Sequence, residues 1–305
     1  MHSFGDELIA PANGIELAYQ EMGAADGEPL LLMMGLSMQM IAWDETFCGM
    51  LAERGFRVVR FDNRDIGRST RIESAGVPRR LDMMTGRRAS APYLLRDMAA
   101  DAAGLMDHLG IDSAHVVGAS MGGMVAQTTA IEYPERVRSL VSVMSNTGSR
   151  WTGMPSRKAM AVLLARPPRD RESAIERAVK TFSVIGSPGY PFEEERVRQI
   201  AGRSYDRGHS GAGVLRQLHA ITASGDRTQA LRAVRAPTLV IHGSRDPLVR
   251  PAGGRATARA IPNARLKIVD GMGHDLPRQL WPTFAEEIAT NAARAAKGAG
   301  EKQPA

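Results

Sequence analysis

The sequence predicts an α/β domain: a mostly parallel central sheet flanked by helices, interrupted once by an inserted helical segment. Three observations predict it. Short apolar runs alternate with helical patterns through the first half and again after residue 235, as parallel strands with crossover helices require. Between these stretches lie helical stripes without a convincing strand. The length of 305 residues is enough for one large domain carrying an insertion. The expected division is a core of residues 1–146 and 235–296, an inserted helical cap at 147–234, and a flexible polar tail at 297–305.

In chain order, Ile15–Met22 alternates like a strand of an N-terminal hairpin region. Residues 29–34 (P-L-L-L-M-M) form a continuous apolar run ending at Gly35, as in a buried parallel strand. Trp43, Phe47, Met50 and Leu51 then recur at helical spacing. Residues 56–62 read as the next strand, and Leu95, Met98, Ala102, Leu105, Met106 and Leu109 as one face of a long helix. A strand at 115–119, a helix at 121–131 and a strand at 138–144 complete the first half. In the middle segment, residues 159–165 are rich in Ala, Leu and Met and read as helix. Further stripes follow at Ile175, Ala178, Val179 and Phe182, at Val197 and Ile200, and at Val214, Leu218 and Ile221. Strands at 237–242 and 265–269, a helix near 254–260 and a last helix from about 282 restore the alternation.

Composition narrows the class. Hydrophobic content of 43% and charged content of 24% are those of an ordinary globular chain. No apolar run reaches the length of a membrane span. The first ten residues carry Asp6 and Glu7 and do not read as a signal peptide. With Cys48 as the single cysteine, no disulfide within the chain can form. A cytoplasmic location is the expectation. The net charge is +6, but the arginines are scattered, and the longest basic cluster (Arg79, Arg80, Arg87, Arg88) is broken by apolar residues. Aromatic content of 5% offers no base-stacking platform, so a solvated arginine-rich face is expected rather than nucleic-acid binding.

Chemistry in an open parallel sheet belongs at the carboxyl ends of its strands. Gly118-Ala119-Ser120-Met121-Gly122 fits G-x-S-x-G. Alone, the pattern arises by chance in roughly one chain in ten of this length. Here it follows the strand run Val116-Val117 and opens a helix, the strand–turn–helix setting that exposes a nucleophilic serine. A serine needs a base, and the base needs an orienting acid. Of seven histidines, His274 sits in D-G-M-G-H (270–274), a glycine-rich loop after a strand. Asp246 sits in H-G-S-R-D-P (242–247), also just beyond a strand. Asp270 and Asp275 are rivals for the acid, but lie too near His274 in the chain to orient it naturally. The oxyanion needs two N–H donors. The backbone amides of Met121, next to the serine, and of Leu36, in the loop after Met33-Met34-Gly35, are the candidates.

These pieces resemble bacterial α/β-hydrolases of the aclacinomycin methylesterase type and the related mycobacterial lipase/esterases. The resemblance rests on L-L-L-M-M-G-L (30–36), F-D-N-R-D-I-G-R-S-T (61–70), H-V-V-G-A-S-M-G-G-M (115–124), V-I-H-G-S-R-D (240–246) and D-G-M-G-H. It implies a capped hydrolase of carboxylic esters that uses neither metal nor cofactor. Many relatives have His-Gly where this chain has Met34-Gly35, which makes the pocket wall more apolar. In residues 63–70, Arg64 and Asp65 are expected to make turn hydrogen bonds rather than bind substrate.

The functional expectation is a serine carboxylic-ester hydrolase acting on small to medium apolar esters through Ser120, His274 and Asp246. Gly35, Met38 and Trp43 are expected to line the substrate pocket, because thioethers adapt to varied apolar ligands. Thioester, lactone or C–C bond hydrolysis and perhydrolysis on the same residues remain open, as does a non-catalytic ligand receptor. The expected partner is a small-molecule ester; homo-oligomerisation is left open.

Overall fold

A computed structural model of the protein describes residues 3–163, 165 and 167–300. Its sheet contains eight strands: β1 (Leu8–Ala12), β2 (Ile15–Met22), β3 (Glu28–Met33), β4 (Phe56–Phe61), β5 (Ala114–Ala119), β6 (Val137–Val143), β7 (Thr238–Gly243) and β8 (Arg265–Val269). They lie in the order β1-β2-β4-β3-β5-β6-β7-β8. The first two pairings, β1 with β2 and β2 with β4, are antiparallel, and the rest are parallel. Asn13 and Gly14, at φ 50° and 76°, close the β1–β2 hairpin. Two left-handed residues in succession are what a two-residue hairpin turn of matching twist demands.

The helices are α1 (Glu45–Ala52), α2 (Arg80–Thr85), α3 (Leu95–His108), α4 (Met121–Glu132), α5 (Arg157–Leu163), α6 (Arg171–Ile185), α7 (Glu194–Arg207), α8 (Gly211–Ser224), α9 (Thr228–Leu231), α10 (Pro251–Ala260) and α11 (Trp281–Gly300). They cover both faces of the sheet, which is why its central strands are apolar on both sides. Leu31 and Met33 face one layer, with Leu105 of α3 and Val125 of α4. Leu30 and Leu32 face the other, with Phe47 and Leu51 of α1 and Trp281 and Phe284 of α11. Strand periodicity of two thus divides a single run between two cores. Each fully buried leucine or valine contributes about 1.5–3 kcal/mol relative to exposure. The side chain of Asp44 caps α1 by accepting the Thr46 amide at 2.9 Å.

Between Val143 and Thr238 the chain forms α5 to α9 and, among the described residues, no strand. The helical reading of 159–165 is met by α5, which begins earlier, at Arg157, and ends at Leu163. Leu164 of that stretch lies outside the described residues. Of the tail expected at 297–305, residues 297–300 continue α11 (Trp281–Gly300). Ala292, Ala293, Ala295 and Ala296 carry high helix propensity up to that point. Residues 301–305 lie outside the described residues. Among the described residues no helix is long and apolar enough to cross a membrane.

Arg64 and Asp65 depart most from the sequence reading. Asp65 does make a turn bond, accepting the Ile72 amide at 2.9 Å. Both residues, however, also enter buried ion pairs. Arg64 grips Asp101 of α3 in a fork, at 2.6 and 2.5 Å. Asp65 takes a similar fork from Arg216 of α8, at 2.8 and 2.5 Å, and the Tyr93 hydroxyl donates to it at 2.7 Å. Burial alone would raise the Asp65 carboxyl. Arg216 and Tyr93 outweigh it and hold the group below the ordinary carboxylate range. The segment therefore fastens α8 to the sheet, across a sequence separation that turn chemistry cannot reveal.

Cys48 is wholly buried in α1, and burial pushes its thiol up to about 12. The thiolate is the reactive form, so native protein at pH 8 is expected to resist Ellman's reagent. One equivalent should react after denaturation in guanidinium. Rapid labelling of the native protein would show that α1 opens locally.

Candidate active site

A single residue, Ser120, separates the end of β5 from the start of α4. Its φ of 56° and ψ of −118° are unfavourable for an L-residue, a strain of about 1–3 kcal/mol that surrounding structure must hold in place. The Ser120 amide donates to the Val143 carbonyl at 2.9 Å, and its carbonyl accepts the Met124 amide at 3.2 Å. The glycines are required by packing. A Cβ at 118 would lie 2.1 Å from the Gly122 carbonyl oxygen, and one at 122 would lie 2.0 Å from that of Met33. The turn can form only where neither side chain exists.

Strands β7 and β8 pair in parallel, Gly243 opposite Val269. Asp246 and His274 leave their carboxyl ends side by side. His274 Nδ1 lies 2.7 Å from Asp246 Oδ2, and its Nε2 lies 2.9 Å from Ser120 Oγ. A carboxylate facing Nδ1 places the ring proton there and leaves Nε2 as the acceptor for the serine hydroxyl. The other carboxylate oxygen of Asp246 accepts the Leu248 and Val249 amides, at 2.8 and 2.9 Å. The His274 amide donates to the Ile185 carbonyl at 2.7 Å, so the C-terminus of α6 fixes the histidine loop.

The rival acids face elsewhere. Asp270 accepts the Ser244 hydroxyl at 2.9 Å. Asp275 accepts the Ser187 hydroxyl, and burial raises its carboxyl above the ordinary range. Behind Asp246 stands a histidine whose role the sequence did not indicate. His242 is fully buried, its Nε2 2.6 Å from the Val249 carbonyl and 3.5 Å from Asp246 Oδ2. Burial lowers its proton affinity, which keeps a neutral ring behind the carboxylate despite that neighbour.

Gly35 packs against the serine: a Cβ there would lie 3.1 Å from Ser120 Cβ and 3.7 Å from its Oγ. The loop carrying Leu36 is fixed from three sides. Asn63 Nδ2 donates to the Met34 carbonyl at 2.9 Å, the Met38 amide to the Gly35 carbonyl at 3.2 Å, and the Ser37 amide to Gln217 Oε1 at 3.2 Å. Asn63 and Gln217 were not singled out in the sequence. Gln217 carries no local mark and Asn63 only its place in F-D-N-R-D, because each acts on a loop far away in the chain.

Ser120 and His274 open into one cavity of about 1440 Å³, lined also by Gly35, Leu36, Met38, Trp43 and Met121. The helical stripes of the middle segment line it too: Ala178 and Phe182 of α6, Val197 and Ile200 of α7, Val214 and Leu218 of α8. Among the described residues no group of three or more His, Cys, Asp or Glu is placed to hold a metal ion.

A serine on a strained strand–helix turn, hydrogen-bonded through an imidazole to a buried carboxylate at the carboxyl edge of a mostly parallel sheet, is the arrangement of the nucleophile-elbow proteins. Comparison with known proteins agrees. The chain belongs to the alpha/beta hydrolase fold family, whose profile matches residues 28–277. It is 27% identical over 298 residues to rhodomycin D methylesterase of Streptomyces peucetius, covering 91% of this chain and 95% of that protein. It is 27% identical over 281 residues to the non-heme haloperoxidase of Rhodococcus erythropolis, covering 88% and 93% of the two. A solved structure, the meta-cleavage product hydrolase of Pseudomonas fluorescens, superposes with a TM-score of 0.73 at 20% identity, covering 94% of this chain and 98% of that one.

His242 generates a pH prediction. Its folded proton affinity lies below the ordinary value of about 6.5. As pH falls through that value the unfolded chain binds a proton that the native ring refuses. The stabilisation is therefore complete above about pH 6.5 and is lost with acidification. His115 and His209 shift in the same direction, both chiefly through burial. The melting temperature is expected to fall between pH 7.5 and 5.5, and to fall less steeply in His242→Gln. Equal slopes in the two proteins would contradict a neutral His242.

Proposed function

We propose that this protein is a serine ester hydrolase that works through an acyl-enzyme on Ser120. The observation that carries the reading is the unbroken chain of contacts, 2.9 Å from Ser120 to His274 and 2.7 Å from His274 to Asp246, at the floor of a largely apolar cavity. His274 Nε2 takes the hydroxyl proton as Ser120 Oγ attacks the ester carbonyl. The Met121 and Leu36 amides hold the oxyanion. The same proton passes to the departing alcohol, and water then repeats the sequence on the acyl-enzyme. Asp246 fixes the ring tautomer and stabilises imidazolium.

Residues 147–234 act in this reading as the cap that sets substrate size. The sequence pointed to small or medium esters, and the cavity widens that range. Its volume of about 1440 Å³ exceeds the roughly 300–1,000 Å³ of ordinary small-molecule sites. A bulky apolar ester is the substrate class that it fits, in keeping with the similarity to a methylesterase named for rhodomycin D. The haloperoxidase relative, as similar in sequence, supports perhydrolysis on the same residues as the second reading.

The test is hydrolysis of p-nitrophenyl esters from acetate to dodecanoate. Ser120→Ala is expected to lose about 10⁴-fold or more in kcat, and Asp246→Asn about as much, with both variants folded. Full activity of Ser120→Ala would sink the reading. The wide cavity predicts that kcat/KM does not decline from butanoate to dodecanoate; a sharp optimum at acetate would refute the bulky-substrate assignment. Native protein should bind a fluorophosphonate probe covalently at Ser120. A protein inert to esters, peracid formation and this probe would be a receptor.

A further inference from the structure

The rim of the cavity differs from the rest of the surface. Trp151 is 93% exposed, Met84 74% and Leu81 70%, and Val77 and Met154 are exposed as well. These side chains come from two stretches, residues 77–88 with α2 and the loop that precedes α5. The stretches meet where Arg150 Nη2 donates to the Thr85 carbonyl at 3.5 Å. The last turn of α2 is pinned to α8. A Cβ at Gly86 would lie 2.6 Å from the Thr222 carbonyl oxygen, and His219 Nε2 lies 3.2 Å from the Arg87 carbonyl. No residue of α2 is fully buried. The helix thus packs on α8 while Leu81 and Met84 stand exposed to solvent. Met84, Trp151 and Met154 also line the cavity that reaches Ser120.

Charge surrounds this apolar rim. Residues 77–88 carry Arg79, Arg80, Arg87 and Arg88, and residues 150–158 carry Arg150, Arg157 and Lys158. The single acid in the two stretches is Asp82. Singly scattered exposed apolar residues need no explanation, whereas several gathered on two bonded stretches beside a cavity mouth point to a docking surface. Leucine, methionine and tryptophan side chains set among cations suit one surface in particular. Apolar groups enter the acyl boundary, tryptophan sits at the headgroup level, and arginines meet anionic headgroups. A nucleic acid would use the cations and leave the apolar tips in water.

We infer that the rim formed by α2 and the Trp151 loop docks the protein on an anionic lipid surface, with the cavity mouth facing the lipid. Apolar substrate would then pass from the bilayer to Ser120 without crossing water. That delivery rests on the ester-hydrolase reading; the docking does not.

Trp43 and Trp281 are each 1% exposed, so Trp151 is the natural fluorescent reporter. The full-length protein is titrated with vesicles of phosphatidylcholine and phosphatidylglycerol in equal parts, and with pure phosphatidylcholine vesicles. The expected result is a saturable blue shift and co-sedimentation with the anionic vesicles, about tenfold or more weaker on neutral ones and weakened by salt. The variant Arg79→Glu/Leu81→Ser/Arg88→Glu should lose anionic-vesicle binding by about tenfold or more. It should still hydrolyse soluble p-nitrophenyl butanoate like the parent, and that activity also shows it to be folded. If the ester-hydrolase reading fails and no ester is turned over, circular dichroism replaces activity as the folding control, and the vesicle result stands alone. No shift with anionic vesicles overturns the inference, as does binding unaffected by the variant. Concentration-dependent dimerisation abolished by Leu81→Ser, with no vesicle binding, would instead assign the rim to a second copy of this chain.

Discussion

Ser120 stands in a backbone conformation that L-residues avoid, and the rest of the architecture serves to hold it there. The strain can persist because β5 and α4 are both wholly buried where they meet it, and because Gly118 and Gly122 allow the carbonyls of Gly122 and Met33 to approach where a Cβ would stand. The helix cannot relax away from the turn, since it is sandwiched between sheet and α3. Two apolar layers thus convert burial energy into the exposure of a single hydroxyl.

The middle helices are more than a cover. Arg216 of α8 is locked to Asp65, and the neighbouring Gln217 reaches the loop of Leu36. The end of α6 receives the His274 amide, and Ser187 beyond it holds the Gly273 amide at 2.8 Å. Breaking a buried ion pair such as Asp65–Arg216 leaves an uncompensated charge, a penalty of about 3–5 kcal/mol. The segment that shapes the cavity is therefore coupled rigidly to the two loops that flank Ser120. Changes in it would be felt in the positions of the proposed oxyanion donors and base as well as in substrate fit.

The mouth of the cavity has a different character. α2, which packs on α8, and the loop at Trp151 leave large apolar side chains in water. Rigidity around Ser120 and an amphipathic mouth are complementary in the proposed reading: the first would position reacting groups, and the second would meet the source of an apolar ligand. The basic cluster at Arg79 to Arg88, which as sequence reads as a solvated face interrupted by apolar residues, becomes coherent once those apolar residues are seen to share its surface.

Local chemistry made much of this protein legible in the sequence. Apolar runs bounded by glycine marked the strands, and G-x-S-x-G with its flanks marked the turn at Ser120, because steric limits at a tight turn act on adjacent residues. Positions just beyond predicted strands, in glycine-containing loops, marked Asp246 and His274. What tertiary structure alone decided is pairing at a distance. The parallel register of β7 and β8 brings the loops carrying Asp246 and His274 side by side, with 2.7 Å between carboxylate and ring. The stripes of α6 to α8 face a cavity rather than a packed core, although both demand the same helical periodicity. Asp65, read as a turn residue, also anchors an arginine 151 positions away. Periodicity and motif report which faces are apolar and which turns are tight. They carry no information about which of several chemically equivalent partners the packed chain brings within hydrogen-bonding distance.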